Sequence, residues 1–444
     1  LYCPNPGEEE ACRRRVSEIL RNNADAVERF AFGQFLLHLQ HERMREETRK
    51  LGLLVYGDMH IGCSHQDWWA WRSLFLGTYL LGAPPSRTNP EGQPWGYPVF
   101  DPRKIRAVGP RGEPAPRPVL DFVRARADKL LAEFDGMRID HPQGLVCPWV
   151  YRADDPDPFQ AVRHGARLYS APNFPDHPEL RQFALVHPDQ LNPDPNYPRY
   201  GDEQVRDLLP EQIERYGALL DAVLEAARSA GRRSDDILCE VLSTWPRPLK
   251  AVMMQRGMGR FCITQKADPH NPDDVYRPER TSANDWIMVG NHDTKPLWLV
   301  AEERKASDWM RDRSVLLAHR LIPEPERRRA FAERLASDHR RFCEAMFAEL
   351  FLGPAQNVSV FFADLFGERR LYNQPGTMGE DNWRLRVPRD YEAVYAERLN
   401  RGEALDIRRV LALALEAKAV SLGEEAAALA RQLRKDNDDT GGSY

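Results

Sequence analysis

Short apolar segments recur along this chain, separated by long polar connections and by stretches of helical periodicity. The segments are Leu51–Val55, Gly136–Asp140, Asp236–Leu242, Phe261–Gln265, Trp286–Asn291 and Val358–Ala363. Each is too short for a core helix and reads as a strand buried on both faces. Helical patterns occupy 119–134, 210–230 and 324–352 between them. Strand, long connection, helix, strand is the pattern of a parallel α/β sheet with helices on its faces.

The remaining stretches set the organisation. Residues 1–50 are a helical lead-in, helical from residue 8, in which Phe30, Leu37 and Met44 recur at helical spacing. Residues 51–390 carry the strands, with Pro- and Gly-rich insertions at 83–118 and 151–207 that read as irregular loops. Residues 391–434 hold two C-terminal amphipathic helices, and 435–444 is a solvated tail. No Gly-rich phosphate cradle follows the first strand, which argues against a nucleotide cofactor. Lys and Arg total 62 against 67 Asp and Glu, a formal charge of −5 without a strongly basic stretch, so nucleic acid is excluded as a partner. The longest apolar run, Leu74–Ala83, is too short for a membrane span and is broken by glycines. Seven scattered cysteines without a CxxC pair make neither a disulfide framework nor a zinc site, and point to a reducing, cytoplasmic compartment. Oligomeric state has no signature here.

Three carboxylates end or closely follow strand candidates: Asp140 in GMRIDHPQG, Glu240 in ILCEVLST and Asp293 in MVGNHDTKP. Side chains at the C-terminal ends of parallel strands converge on one mouth. Glycoside chemistry needs acids so placed, one to attack the anomeric carbon and one to protonate the leaving oxygen. A third would support the charged transition state. An Asp at a strand end is also commonly a helix cap or loop anchor, which is the plain alternative for each one. Arg138 lies two residues before Asp140, on the same face of the strand, where it can keep that carboxyl ionised. His141 and His292 each adjoin an acid. Trp68, Trp69, Trp71, Trp95, Tyr97 and Phe100 supply rings suited either to a sugar groove or to core packing.

Together these segments resemble the 4-α-glucanotransferases (amylomaltase or disproportionating enzyme, glycoside hydrolase family 77). QFLLHLQHERM (Gln34–Met44) is similar to the helix before that family's GDxPI strand, and GLLVYGDMHI (Gly52–Ile61) to the strand itself. PPSRTNPEGQPWGYPVF (Pro84–Phe100) follows its GQ.WG.P loop, MRIDH (Met137–His141) its nucleophile strand and ILCEVLS (Ile237–Ser243) its acid/base strand. GNHD (Gly290–Asp293) corresponds to GTHD, and Ala363–Arg386 to the closing N.PG….NW.WR segment. The resemblance implies a (β/α)8 barrel and transfer of α-1,4-glucan segments between maltooligosaccharides with retention, needing no cofactor or metal. It makes Asp140 the nucleophile, Glu240 the general acid/base and Asp293 the transition-state stabiliser, with Arg138 and His292 in support. Asp58, Trp95, His141, Asn373 and Asn382 fall on sugar-contacting or site-framing positions.

The chain departs from the family in places. Val241 replaces a second acid, His60 replaces the proline of GDxPI, and an aromatic pair is missing from Pro84–Asn89. A closed barrel needs eight strands, and no counterpart of the family's first two is found here. The expectation is a barrel lacking its first two βα units, unless Gly165–Ser170 and Phe183–Val186 supply strands. An α-glucan hydrolase of the same clan and a catalytically idle glucan-binding relative are the competing readings.

Overall fold

The computed structural model describes residues 1–86, 89–105, 117–241, 244–375, 377 and 379–438, with backbone alone at 436–438. The chain divides into two compact units, Leu1–Met258 and Gly259–Tyr444. The expected solvated tail lies, from residue 439 onward, outside the described residues.

The first unit contains strands β1 (Tyr56–His60), β2 (Phe75–Ala83), β3 (Gln93–Phe100), β4 (Gly136–Asp140), β5 (Trp149–Arg152), β6 (Ala166–Arg167) and β7 (Ile237–Cys239). β1, β4 and β7 form a parallel sheet in that order. The helix Pro118–Glu133 leads into β4 and Pro210–Ser229 into β7. Each starts on a proline, whose missing N–H would have no partner in a first helical turn. Val119, Val123, Ala127 and Leu131 form the buried stripe of the first helix at a four-residue spacing. They join one core with Met137, Ile139, Ile237 and Cys239 on the sheet face opposite the acids.

Two expectations in this unit are corrected. The strand predicted at Leu51–Val55 begins only at Tyr56, and Leu51, Leu53 and Leu54 are exposed. The helix Ala24–Lys50 claims that run for its C-terminal cap: Gly52 takes φ +71°, and Leu53 N–H donates back to the Thr48 carbonyl at 2.9 Å. The lead-in is held through polar contacts, Arg45 to Asp135 at 3.2 Å and to the Ala132 carbonyl, while Phe30, Leu37 and Met44 face solvent. The second correction concerns the insertion 83–118, predicted irregular. It contains β3, in an antiparallel sheet of order β3-β2-β5-β6. Its prolines, Pro94 and Pro98, are an even number apart and withhold donors on one side only, which an edge strand tolerates. Of the alternative strands considered, β6 covers Ala166–Arg167 but joins this antiparallel sheet, and Phe183 ends a 3-10 turn.

In the second unit β8 (Phe261–Ile263), β9 (Trp286–Met288) and β10 (Asn357–Val358) form a parallel sheet of order β10-β9-β8. The single helix expected over 324–352 is two, Pro325–Ser337 and His339–Glu349. Asp338 breaks it by capping the second helix, its carboxylate accepting Arg341 N–H at 3.1 Å. The C-terminal helices are Ile407–Leu422 and Glu424–Asp438, after a shorter one at Tyr391–Asn400. Five of the six strand candidates thus overlap parallel strands, the sixth is followed directly by β1, and the α/β class holds. Among the described residues the parallel strands form two three-stranded sheets and no closed barrel.

Asp364 sits in the core of this unit, 1% exposed, with Oδ1 accepting Leu297 N–H at 2.6 Å. Burial pushes its carboxyl up to about 7, against that hydrogen bond. A raised carboxyl holds a proton that the unfolded chain has already lost. Its contribution to stability is full below about pH 4 and is lost as pH rises through about 7. Urea midpoints should therefore show Asp364→Asn gaining on the wild type between pH 5 and 8, by on the order of 3 kcal/mol at most. A difference that does not vary with pH would contradict this.

Candidate active site

In the first unit the parallel register decides which side chains meet. Asp58 pairs with Arg138 across β1 and β4, and His60 with Asp140. Arg138 pairs with Leu238 across β4 and β7, so Glu240, two residues further, continues the same face. The ladder extends to it through Glu240 N–H and the Ile139 carbonyl at 3.0 Å. Alternation sends Met137 and Ile139 into the core and leaves Arg138 and Asp140 on the open face.

Arg138 is the hub of that face. Its Nη1 donates to both carboxylate oxygens of Asp58 at 2.7 Å. Its Nη2 donates to Asp140 Oδ1 at 3.2 Å and to Glu240 Oε2. The two acids therefore share one nitrogen, which keeps these oxygens within about 6 Å, two hydrogen-bond lengths. Oxygens this close fit direct attack by a carboxylate, whereas an inverting pair sets its carboxyls roughly 6.5–9.5 Å apart. Burial acts to lower the Arg138 pKa, but Glu240, Asp140 and Asp58 outweigh it and the net direction is up. Burial acts to raise the Asp140 carboxyl. A hydrogen bond with the Glu240 carboxyl, the charge of Arg138 and the neighbouring imidazoles of His141 and His60 bring it below the ordinary Asp value. Asp140 is thus held as an anion.

His141 follows Asp140 with φ +54°, a left-handed conformation that His tolerates better than most side chains. Burial pushes its imidazole down to about 4, with Arg167 adding and Asp140 opposing. It is neutral at physiological pH, and its ring meets the edge of Trp95 at 4.8 Å. Trp95 Nε1–H donates to Gln93 Oε1 at 3.0 Å. Of the tryptophans after β1, Trp68 and Trp71 pack on the core and Trp69 is exposed. A cavity of about 730 Å³ runs along β1, lined by Asp58, His60, Trp71, Phe122 and Arg126 among others.

The other predicted site residues belong to the second unit. Asp293 lies in the loop after β9, where its Oδ1 accepts Asn373 Nδ2–H at 2.7 Å and its Oδ2 is 3.4 Å from His292 Nε2. Its N–H donates to Asn291 Oδ1 at 3.1 Å, which fixes the loop. The hydrogen bonds of Asn382 do not go to Asp293. The residue braces the turn below, accepting Gln374 N–H and donating to the Thr377 carbonyl, each at 3.1 Å. The sequence thus brings together Asp58, Arg138, Asp140, His141, Trp95 and Glu240 in one unit, and His292, Asp293 and Asn373 in the other. Two neighbours were not counted among the site residues. His60 follows Asp58 by two residues, the parity that identified Arg138 with Asp140. Trp383, exposed and with φ +64°, packs its ring 5.3 Å from His292. Among the described residues no group of three or more His, Cys, Asp or Glu is placed to hold a metal ion, and no helix is long and apolar enough to cross a membrane.

A family model described as 4-alpha-glucanotransferase matches residues 7–391. The chain is 31% identical over 144 residues to the chloroplastic/amyloplastic 4-alpha-glucanotransferase of Oryza sativa subsp. japonica, covering 31% of this chain and 23% of that protein. It is 29% identical over 157 residues to the 4-alpha-glucanotransferase of Thermus thermophilus, covering 34% of this chain and 29% of that one. The matched stretch is thus less than a third of either relative. Among solved structures, the amylomaltase of Streptococcus agalactiae in complex with acarbose superposes with a TM-score of 0.58 at 17% identity, over 89% of this chain and 66% of that one. The amylomaltase of Corynebacterium glutamicum gives 0.53 at 18% identity, over 84% and 49%. At such identities the likeness is one of fold.

Proposed function

The chain belongs to the 4-alpha-glucanotransferase family, and on that premise we propose that it moves α-1,4-glucan segments between maltooligosaccharides by retaining double displacement. The observation that carries this is the shared Arg138 nitrogen, which holds Asp140 and Glu240 at the short spacing a covalent glycosyl intermediate requires. In the first step an Asp140 oxygen bonds to the anomeric carbon, the glycosidic C–O bond breaks, and the Glu240 proton passes to the leaving oxygen. In the second, the 4-hydroxyl of an acceptor sugar attacks the same carbon, gives its proton to the Glu240 carboxylate and releases Asp140. Both steps use only these two side chains, so no cofactor is called for.

Asp293 is assigned the third role, supporting the positive charge of the transition state, from the Gly290–Asp293 motif and from the donors that fix its carboxylate, Asn373 and His292. Asp58 frames the site by orienting Arg138. Neutral His141 and Trp95 suit a sugar, one by hydrogen bonding and one by stacking. The acarbose bound to the Streptococcus agalactiae amylomaltase supports a maltooligosaccharide ligand. An eight-stranded barrel stays part of the proposal, supported by six parallel strands in the chain order of the family's motifs. So does a cytoplasmic location, supported by seven unpaired cysteines.

Maltotriose is the test. A transferase yields glucose together with maltopentaose and longer chains, without a rise in total reducing ends. A hydrolase raises reducing ends and builds nothing longer, and an idle binder changes nothing. Either of the last two results would overturn the proposal.

A further inference from the structure

His60 stands beside the nucleophile at the position where the family's strand motif carries proline. It is the register partner of Asp140 across β1 and β4, so both side chains leave the sheet on the same face. Arg138 Nη2 takes Asp140 Oδ1 at 3.2 Å, and His60 Nε2 faces the other oxygen, Oδ2, at 3.9 Å. The orientation of the imidazole is fixed from behind. Gly62 N–H donates to Nδ1 at 3.0 Å, so in the neutral ring Nδ1 is the acceptor and the proton sits on Nε2. Tyr97 meets the ring edge-on at 5.1 Å, and Arg126 Nη2 holds the His60 carbonyl at 2.7 Å. These contacts aim Nε2 at Oδ2, and 3.9 Å is a charge contact and not a formed hydrogen bond.

We propose that His60 is a positioning residue for Asp140: it faces the carboxylate oxygen that Arg138 leaves open, and its charge governs how readily that oxygen attacks. This rests on the double-displacement reading above. The sign follows from the chemistry. As the Oδ2–carbon bond forms, the carboxylate gives up its negative charge while positive charge builds on the sugar. An imidazolium beside Oδ2 stabilises the carboxylate that is being consumed and repels the charge that is growing, so it slows attack. A neutral imidazole does neither. Transfer should therefore weaken once His60 is protonated.

The other charged or titratable groups around this pair are Asp58, Arg138, Glu240, His141 and Tyr97, with Tyr2 and Cys3 and, on the helix Pro118–Glu133, Asp121, Arg126 and Lys129 along the same cavity. His141 is neutral down to about 4. Burial, reinforced by Asp140, pushes Tyr97 above the ordinary tyrosine range. Neither changes charge in the imidazole range.

The experiment is the pH profile of kcat/KM for maltotriose in the wild type, His60→Gln and His60→Pro. In both variants the acid limb should move down by about one pH unit or more, with the plateau changing less than the activity on the acid side. Superimposable profiles would overturn the proposal, as would a collapse of the plateau in both variants, which marks a structural role. A second measurement needs no turnover: the ¹⁵N imidazole resonances of His60, followed through pH in the wild type and in Asp140→Asn. The expected result is an Nε2–H tautomer whose titration midpoint falls when the carboxylate is removed. An Nδ1–H tautomer or an unmoved midpoint overturns the juxtaposition. A wild type that titrates as expected but fails to disproportionate maltotriose overturns the transferase reading, and leaves the pairing of His60 with Asp140 established.

Discussion

Asp140→Asn should abolish disproportionation of maltotriose while leaving the fold intact. Asparagine keeps the shape of the side chain and still presents an oxygen to Arg138 Nη2. It lacks the negative charge that attacks the anomeric carbon and balances the oxocarbenium-like transition state. The expected loss in kcat/KM is at least about 10⁴-fold, on the order of 5 kcal/mol of barrier. At neutral pH stability should fall by no more than the contribution the depressed Asp140 carboxyl makes, because Asp58 and Glu240 remain on the arginine. Binding of a maltooligosaccharide, followed by calorimetry, should persist, which separates a lost nucleophile from a lost site. The assignment fails if the variant still builds maltopentaose from maltotriose at a comparable rate. Glu240→Gln is a weaker test, since a sugar with a good leaving group can bypass the proton it supplies.

The expectation for Asp140 was legible because strand parity and register are local properties. MRIDH places Arg138 and Asp140 on one face by alternation alone, and the structure adds only the partner strands that bring Asp58 and Glu240 to the same guanidinium. The parity that selects Asp58 selects His60 as well, yet His60 drew attention only as a departure from a motif. What alternation cannot give is the tautomer, which depends on Gly62 folding back to Nδ1. Long-range or competing local signals account for the misread elements. Leu51–Val55 has the composition of a strand, but the helix before it needed Gly52 and Leu53 for its cap. β3 was hidden by Pro94 and Pro98, which are tolerable only at the edge of a sheet, and edge position is a property of the assembled topology. Asp338 looked like one polar residue within a helix and acts as the cap of the next. Asn382 lies in a motif with Trp383 but spends its hydrogen bonds on its own turn.

Arg138→Met should be the most damaging single change on the open face, in stability as well as in turnover. One guanidinium serves three carboxyl groups, and Glu240, at 4% exposed, has little water to replace that donor. Removing one member of a buried charged cluster leaves the others uncompensated, which costs about 3–5 kcal/mol where burial is deep. The Asp58 share of that is small, because its carboxylate is well solvated. The pH dependence gives the mechanism away. In the wild type the Asp140 carboxyl is depressed, so its contribution to stability is present above its unfolded value and is lost as pH falls through its folded one. Without Arg138 that contribution is absent, and neighbouring carboxylates repel. The gap between wild type and variant should therefore be widest near neutrality and close below about pH 4. Activity should fall further than stability, since an Asp140 that protonates more readily is a nucleophile less of the time. Arg138→Lys separates charge from geometry: an ammonium restores a cation but is a point charge, without the rigid fork that reaches Asp58 on one side and two acids on the other. Lysine should recover most of the lost stability yet leave transfer reduced by about 10²-fold. Equal recovery of both would mean that Arg138 supplies only charge, and that something else sets the spacing between Asp140 and Glu240.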